Sequence, residues 1–230
     1  PFIIHYGLQL TPVFTIPGII VAIILWIFAP KVPSKAKTLP VHLLSILHTS
    51  WRELTKVIIV VALRSLAYFG LIAFLPLYLQ ATHVSFDTSS WLLFIMLFAG
   101  AIGGLAGGYL SDLFGRKLII VVSLFLASPL LYLFLTANGV LSYVFLALGG
   151  AALLASFSVT VVTAQEILSK SAAMASGLML GFGVGVGGLG IGIVGMLAEY
   201  VGLSYVIHLL VWLPILAGIF GLTMKNNANG

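Results

Sequence analysis

Arg64 stands inside an otherwise apolar run, and no other Lys or Arg in the sequence is placed that way. On insertion scales a charge near the centre of a membrane helix costs at least about 2.5–3.5 kcal/mol. A guanidinium kept there usually faces the protein interior or a water-filled path, where it can hold an anion or couple to one. Tyr68 lies one helical turn further on the same face, so both would line one cavity. The competing account is snorkelling: Arg64 is about nine residues from the basic end of its run, and a long side chain can reach the interface from there.

A second group is the stretch Gly108-Tyr-Leu-Ser-Asp-Leu-Phe-Gly-Arg-Lys117, in a tight turn between two apolar runs. Glycine permits sharp turning and close helix approach. Asp112 can face a helix N-terminus or a neighbouring basic group. Arg116 and Lys117 can pair with it or with lipid phosphate. Taken alone, the turn could equally be an ordinary basic loop. A third group is the glycine-rich run over 177–195. Small residues at four-residue spacing (Gly177, Gly181, Gly185, with Gly188 beyond) let helices approach closely, and such seams can also rock. Static packing and packing with gating are both open on this pattern. The same run matches Gly-x-Gly-x-x-Gly at Gly183, Gly185 and Gly188, but no strand precedes it and no acid follows about 20 residues on, so a dinucleotide site is rejected.

Other polar residues carry less. Asp87, ahead of Thr88-Ser89-Ser90, reads as a helix cap rather than a proton carrier. Glu166 and Glu199 fall at run ends and read as solvated or paired. His208 reads as hydrogen-bonded packing. Ser156, Ser158, Thr160 and Thr163 are expected to bond to their own helix backbone. Without cysteine, disulfides and thiolate metal sites are excluded, and no metal or cofactor is expected.

The elements that must position these residues are membrane spans. The sequence is 61% hydrophobic and 7% charged, with a mean hydropathy of +1.24. A soluble domain carries about 25% charged residues. Lipid must therefore be the solvent for most of this chain, and continuous apolar runs specify helices rather than a barrel. The runs lie at about 11–29, 55–80, 91–110, 118–136, 141–163, 174–198 and 203–224, about seven spans near the length a bilayer requires. Lys31, Lys35, Lys37, Arg52 and Lys56 share one loop, Arg116 and Lys117 the loop two spans later, Lys170 the next such loop, and Lys225 the end. The loops between them (81–90, 137–140 and 199–202) hold no Lys or Arg, so the basic side is expected in the cytoplasm. The +5 formal charge is thus a topology signal and does not point to nucleic acid. Residues 38–54, with Leu39, Leu43, Leu44, Leu47, Trp51 and Leu54 at roughly helical spacing, suggest a short amphipathic helix at the interface; a linker with little order is the alternative. No residue-level repeat joins 55–136 to 141–224.

The stretch 108–117 resembles the cytoplasmic loop signature of the major facilitator superfamily, Gly-x-Leu-x-Asp-(Arg/Lys)-x-Gly-Arg-(Arg/Lys). Gly108, Leu110, Asp112, Gly115, Arg116 and Lys117 match; Leu113 stands where a basic residue is usual, which fits the weaker second copy between spans eight and nine. Residues 64–78 and 175–190 resemble the seventh and eleventh spans of the fosmidomycin resistance protein group within that superfamily. The resemblance implies an all-α polytopic bundle: 1–30 as the sixth span, 31–54 as the basic central loop, 55–224 as the six-span C-terminal half and 225–230 as a cytoplasmic tail. It implies a secondary transporter of the cell (inner) membrane, a non-enzyme, exporting a small molecule against protons. Its partners would be that substrate, protons, membrane lipid and an N-terminal half not in this sequence. Residue 1 is proline, so the sequence reads as a fragment or a trimmed piece of a longer chain. No acid lies deep in the spans, so the principal proton carrier is expected in the other half. Two other classes compete with this reading. An intramembrane enzyme would need a nucleophile with its base, or paired acids, at membrane depth, and none is found. A truncated membrane scaffold remains compatible with the sequence.

Overall fold

The computed structural model describes residues 15–28 and 43–224. The chain divides into two units, residues 1–42 and 43–230. In the first, α1 (Thr15–Phe28) is a 14-residue apolar helix with exposed Ile, Trp and Phe side chains. Lys31, Lys35, Lys37 and the start of the expected amphipathic segment lie outside the described residues.

The second unit is six helices: α2 (Leu43–Ala81), α3 (Phe86–Phe114), α4 (Arg116–Thr136), α5 (Val140–Ile167), α6 (Ala172–Val201) and α7 (Leu203–Leu222), with a short 3-10 turn at Ser169–Ser171. All six are long and apolar enough to cross a membrane. The described residues are almost entirely helical, as expected for an all-α bundle. From Leu43 on, the segment expected to lie on the interface is instead the first part of α2. No proline or glycine interrupts the sequence between Leu43 and Tyr68, so nothing ends the helix before the span. Its 39 residues measure about 58 Å at 1.5 Å each, nearly twice a hydrocarbon core of about 30 Å. Glu53 and Lys56, near the start of the apolar stretch Trp51–Ala81, form an ion pair at 2.9 Å.

A repeat absent from the sequence is present in the packing. Pairing α2 with α5, α3 with α6 and α4 with α7 maps the substantial helix contacts onto one another. α3 packs on α5 as α6 packs on α2; α4 packs on α5 as α7 packs on α2; α2 meets α5, and α4 meets α7. The connections repeat too. Gly115 alone joins α3 to α4 (φ 92°, ψ 144°), and Gly202 alone joins α6 to α7 (φ 91°, ψ 150°). A single-residue reversal at positive φ is open to glycine and strained for other residues. This is the arrangement of two three-helix repeats, with α2 and α5 meeting at the centre.

Two glycine seams set how closely the repeats close. A Cβ at Gly103 would strike the Ala151 backbone, and one at Gly107 would lie 2.6 Å from the Ala155 carbonyl oxygen. On the counterpart helix, a Cβ at Gly187 would run into the Phe69 ring and one at Gly190 into Leu66. The core under these seams is aliphatic, with Val57, Val60, Leu71, Leu124, Leu146 and Leu210 among its fully enclosed members.

Candidate functional site

Arg64 lies on α2 where that helix meets α5, and it is 2% exposed. Its Nη2 donates a hydrogen bond to Ser65 Oγ at 2.9 Å. The guanidinium carbon sits over the ring of Phe157 on α5, 4.7 Å from the centroid. Nε is buried without a hydrogen-bond partner. The sequence has five acidic residues, Glu53, Asp87, Asp112, Glu166 and Glu199, and Arg64 joins none of the ion pairs among the described residues. α6 closes the site behind Ser65: a Cβ on Gly183 would lie 3.2 Å from Ser65 Oγ and from Val61 Cγ1. Tyr68 is half-buried one turn on, edge-on to Phe69 with centroids 5.3 Å apart; no hydrogen bond links it to Arg64.

Burial at this level argues against snorkelling. A snorkelling arginine puts its head into water, whereas this head is enclosed by Ser65 and Phe157 and keeps an unfilled donor. An arginine offers five N–H donors and no acceptor. The geometry is that of a cation with unspent hydrogen-bonding capacity.

At the end of the bundle carrying the basic loops, Arg116 opens α4. Its Nη2 lies 2.8 Å from Glu166 Oε1, at the end of α5, and 3.8 Å from Asp112 Oδ1 in the last turn of α3. Asp112 therefore caps no helix N-terminus; it sits at a C-terminal end, where the dipole does not favour an anion, and it is 71% exposed. Glu166, read from sequence only as solvated or paired, is the closer partner of Arg116. Its neighbour Gln165 donates from Nε2 to Ser176 Oγ on α6 at 2.7 Å. The end of α5 is thus tied to α4 by charge and to α6 by an amide. Gly108 and Gly115 have nothing within 4 Å of a would-be Cβ; Gly115 is required by its φ of 92° and Gly108 is not. Lys117 is half-exposed.

The close-approach expectation for Gly177, Gly181, Gly185 and Gly188 is corrected. All four are exposed and have no atom within 4 Å of a would-be Cβ. Close packing falls to Gly183, Gly187 and Gly190 of the same helix. The run is so rich in glycine that two faces satisfy a four-residue spacing, and Leu66 and Phe69 on α2 select the second. Among the minor residues, Ser85 rather than Asp87 is the N-cap of α3, accepting from the Thr88 amide at 3.2 Å. His208 Nδ1 bonds the Ser204 carbonyl at 2.8 Å, which matches hydrogen-bonded packing. Ser156, Thr160 and Thr163 bond backbone carbonyls of their own helix. Among the described residues there is no cluster of three potential metal ligands.

Six helices long and apolar enough to cross a membrane, packed as two repeats, with a buried cation and a charged cluster at one end, define a polytopic helical membrane protein. Residues 57–227 match the family model of the Major Facilitator Superfamily, and the chain belongs to that family. It is 40% identical over 134 residues to an uncharacterized MFS-type transporter, YfnC, of Bacillus subtilis (strain 168), covering 58% of this chain and 33% of that protein. It is 34% identical over 153 residues to the fosmidomycin resistance protein of Escherichia coli (strain K12), covering 65% of this chain and 36% of that protein. The chain spans about a third of the length of these two curated relatives.

Proposed function

We propose that this chain is the C-terminal portion of a proton-coupled exporter of a small polar molecule, with residues 55–224 its six-span C-terminal half, and that Arg64 binds the substrate or couples to it. The observation that carries this is the buried guanidinium with an unpartnered Nε and no acid beside it. Buried charges are retained in membranes where function uses them. The missing counter-ion is an oxyanion of the substrate, or an acid from a companion half with which this one alternates access. A planar guanidinium suits a phosphonate-like group through paired hydrogen bonds. Relationship to a protein named for fosmidomycin resistance supports an exported drug-like substrate. Tyr68, on the same helical face, joins the lining of the path.

The protein sits in the cell membrane with its basic loops cytoplasmic, a reading supported by the charge phase along the sequence. Gly108, Asp112, Gly115, Arg116 and Lys117 form the switching loop, with Glu166 as the partner that holds it in one state. The outward glycine face at Gly177, Gly181, Gly185 and Gly188 is smooth enough to slide against the companion half. The proton carrier belongs to that half.

The test is export by the complete reading frame, scored as fosmidomycin resistance with membrane expression measured in parallel. Arg64→Lys keeps the charge and loses the planar fork; Arg64→Ala loses both. Both are expected to impair export, Ala more, at unchanged expression. Wild-type export by Arg64→Ala would return the residue to a structural role.

A further inference from the structure

We propose that Phe157 is the positioning residue of the Arg64 site: it keeps the guanidinium buried and charged without spending any of its donors, so that the site accepts only ligands bearing a compact oxyanion. This rests on the reading of Arg64 as a substrate or coupling residue. A buried cation can be compensated by a counter-ion or by an aromatic ring. A carboxylate would compensate the charge, but it would occupy two N–H groups at once, leaving a closed ion pair. An aromatic ring compensates part of the charge through its quadrupole and takes no hydrogen bond. At 4.7 Å from the centroid, the Arg64 guanidinium carbon is well inside the range of about 6 Å over which that attraction acts.

The donor inventory agrees. Nη2 gives one hydrogen bond, to Ser65 Oγ, and Nε gives none. Phe157 covers one side of the cation, and Gly183 of α6 leaves just enough room for Ser65 to stand where it accepts from Nη2. What remains is hydrogen-bonding capacity that a group with two oxygens on one centre, a carboxylate, phosphonate or phosphate, would fill. A neutral or cationic drug would find a positive charge and a shortage of acceptors. Phe157 also ties the two central helices: Arg64 belongs to α2 and Phe157 to α5, and any rearrangement of one against the other alters how the cation is held.

The experiment has two arms on the complete protein. In the transport arm, export of fosmidomycin is measured for wild type and for Phe157→Leu, Phe157→Tyr and Phe157→Trp. Leu keeps an apolar side chain and loses the ring. It should raise KM about tenfold with the maximal rate changed less, while Tyr and Trp stay within about twofold of wild type. In the second arm, Tm in detergent is measured for Phe157→Leu in the Arg64 and the Arg64→Met backgrounds. The ring should contribute more to Tm when the guanidinium is present, giving a non-additive cycle. Additive Tm shifts would overturn the proposal whatever the transport result, as would a wild-type KM for Phe157→Leu or loss of export in Tyr and Trp equal to that in Leu. Normal export by Arg64→Ala together with a non-additive cycle would instead remove the substrate-site reading and leave a purely structural contact, a result separable from failure of the contact itself.

Discussion

At the scale of single residues, two charged groups organise the chain. Arg64 was legible because a lone charge in an apolar run is costly and so conspicuous. Its partners were not: Ser65 looks like any helix serine, and Phe157 lies 93 positions away among other apolar residues on a different helix. Which ring faces which cation is decided by how α2 and α5 cross, and one-dimensional periodicity does not carry that. The same holds for Glu166. The loop pattern pointed to Asp112, whereas the tighter partner of Arg116 is Glu166 at 2.8 Å, against 3.8 Å for Asp112. The pair is partly exposed, so its contribution to stability is on the order of 1 kcal/mol or less. Its removal is expected to act on switching rather than on folding. In the complete protein, Glu166→Gln should slow transport more than Asp112→Asn, with expression and ligand binding near wild type in both. Initial export rates set beside equilibrium binding decide this; a larger effect of Asp112→Asn would make Asp112 the principal partner.

At the scale of the elements, helix type and approximate limits followed from apolar runs bounded by glycine and charge, and the six long helices of the second unit fall where those runs do. The start of α2 did not, because amphipathic spacing continues smoothly into apolar sequence and nothing marks a break between them. Glycine position was legible only in part. Four-residue spacing identifies a seam but leaves its face undecided in a run as glycine-rich as 177–195, and bulky Leu66 and Phe69 on the neighbouring helix make the choice. In the seam between α3 and α5, Gly107→Ala places a methyl 2.6 Å from a carbonyl oxygen and 2.7 Å from a Cα, both backbone atoms that cannot rotate away. It should destabilise by about 1–3 kcal/mol. On the same helix Gly104→Ala meets only ordinary contacts, the nearest at 3.4 Å to Ser158 Oγ. It should be neutral or slightly stabilising, since alanine is the better helix former by about 1 kcal/mol. Thermal unfolding of the two variants in detergent is the check, and equal Tm values would refute the packing described for this seam.

At the scale of the whole molecule, the three-helix repeat shows how packing keeps a relation that side chains do not display: the sequence offers no residue-level match, yet the helix pairings and the two single-glycine reversals do. Orientation in the membrane is testable directly, because the chain has no cysteine of its own. Single cysteines at Ser85 and Asn138 should react with an impermeant maleimide added outside intact cells, and one at Ser34 should not. Labelling at Ser34 would invert the assigned topology. The central claim, that this chain forms half of a proton-driven exporter with Arg64 in its path, is tested most directly by substrate accumulation in inside-out vesicles carrying the complete protein and given an acidic lumen. Export coupled to proton movement predicts that fosmidomycin accumulates in the lumen, that a protonophore abolishes the accumulation, and that Arg64→Ala vesicles with equal protein content show little of it. Accumulation that ignores the pH gradient, or that Arg64→Ala vesicles reproduce at the wild-type rate, would contradict the account.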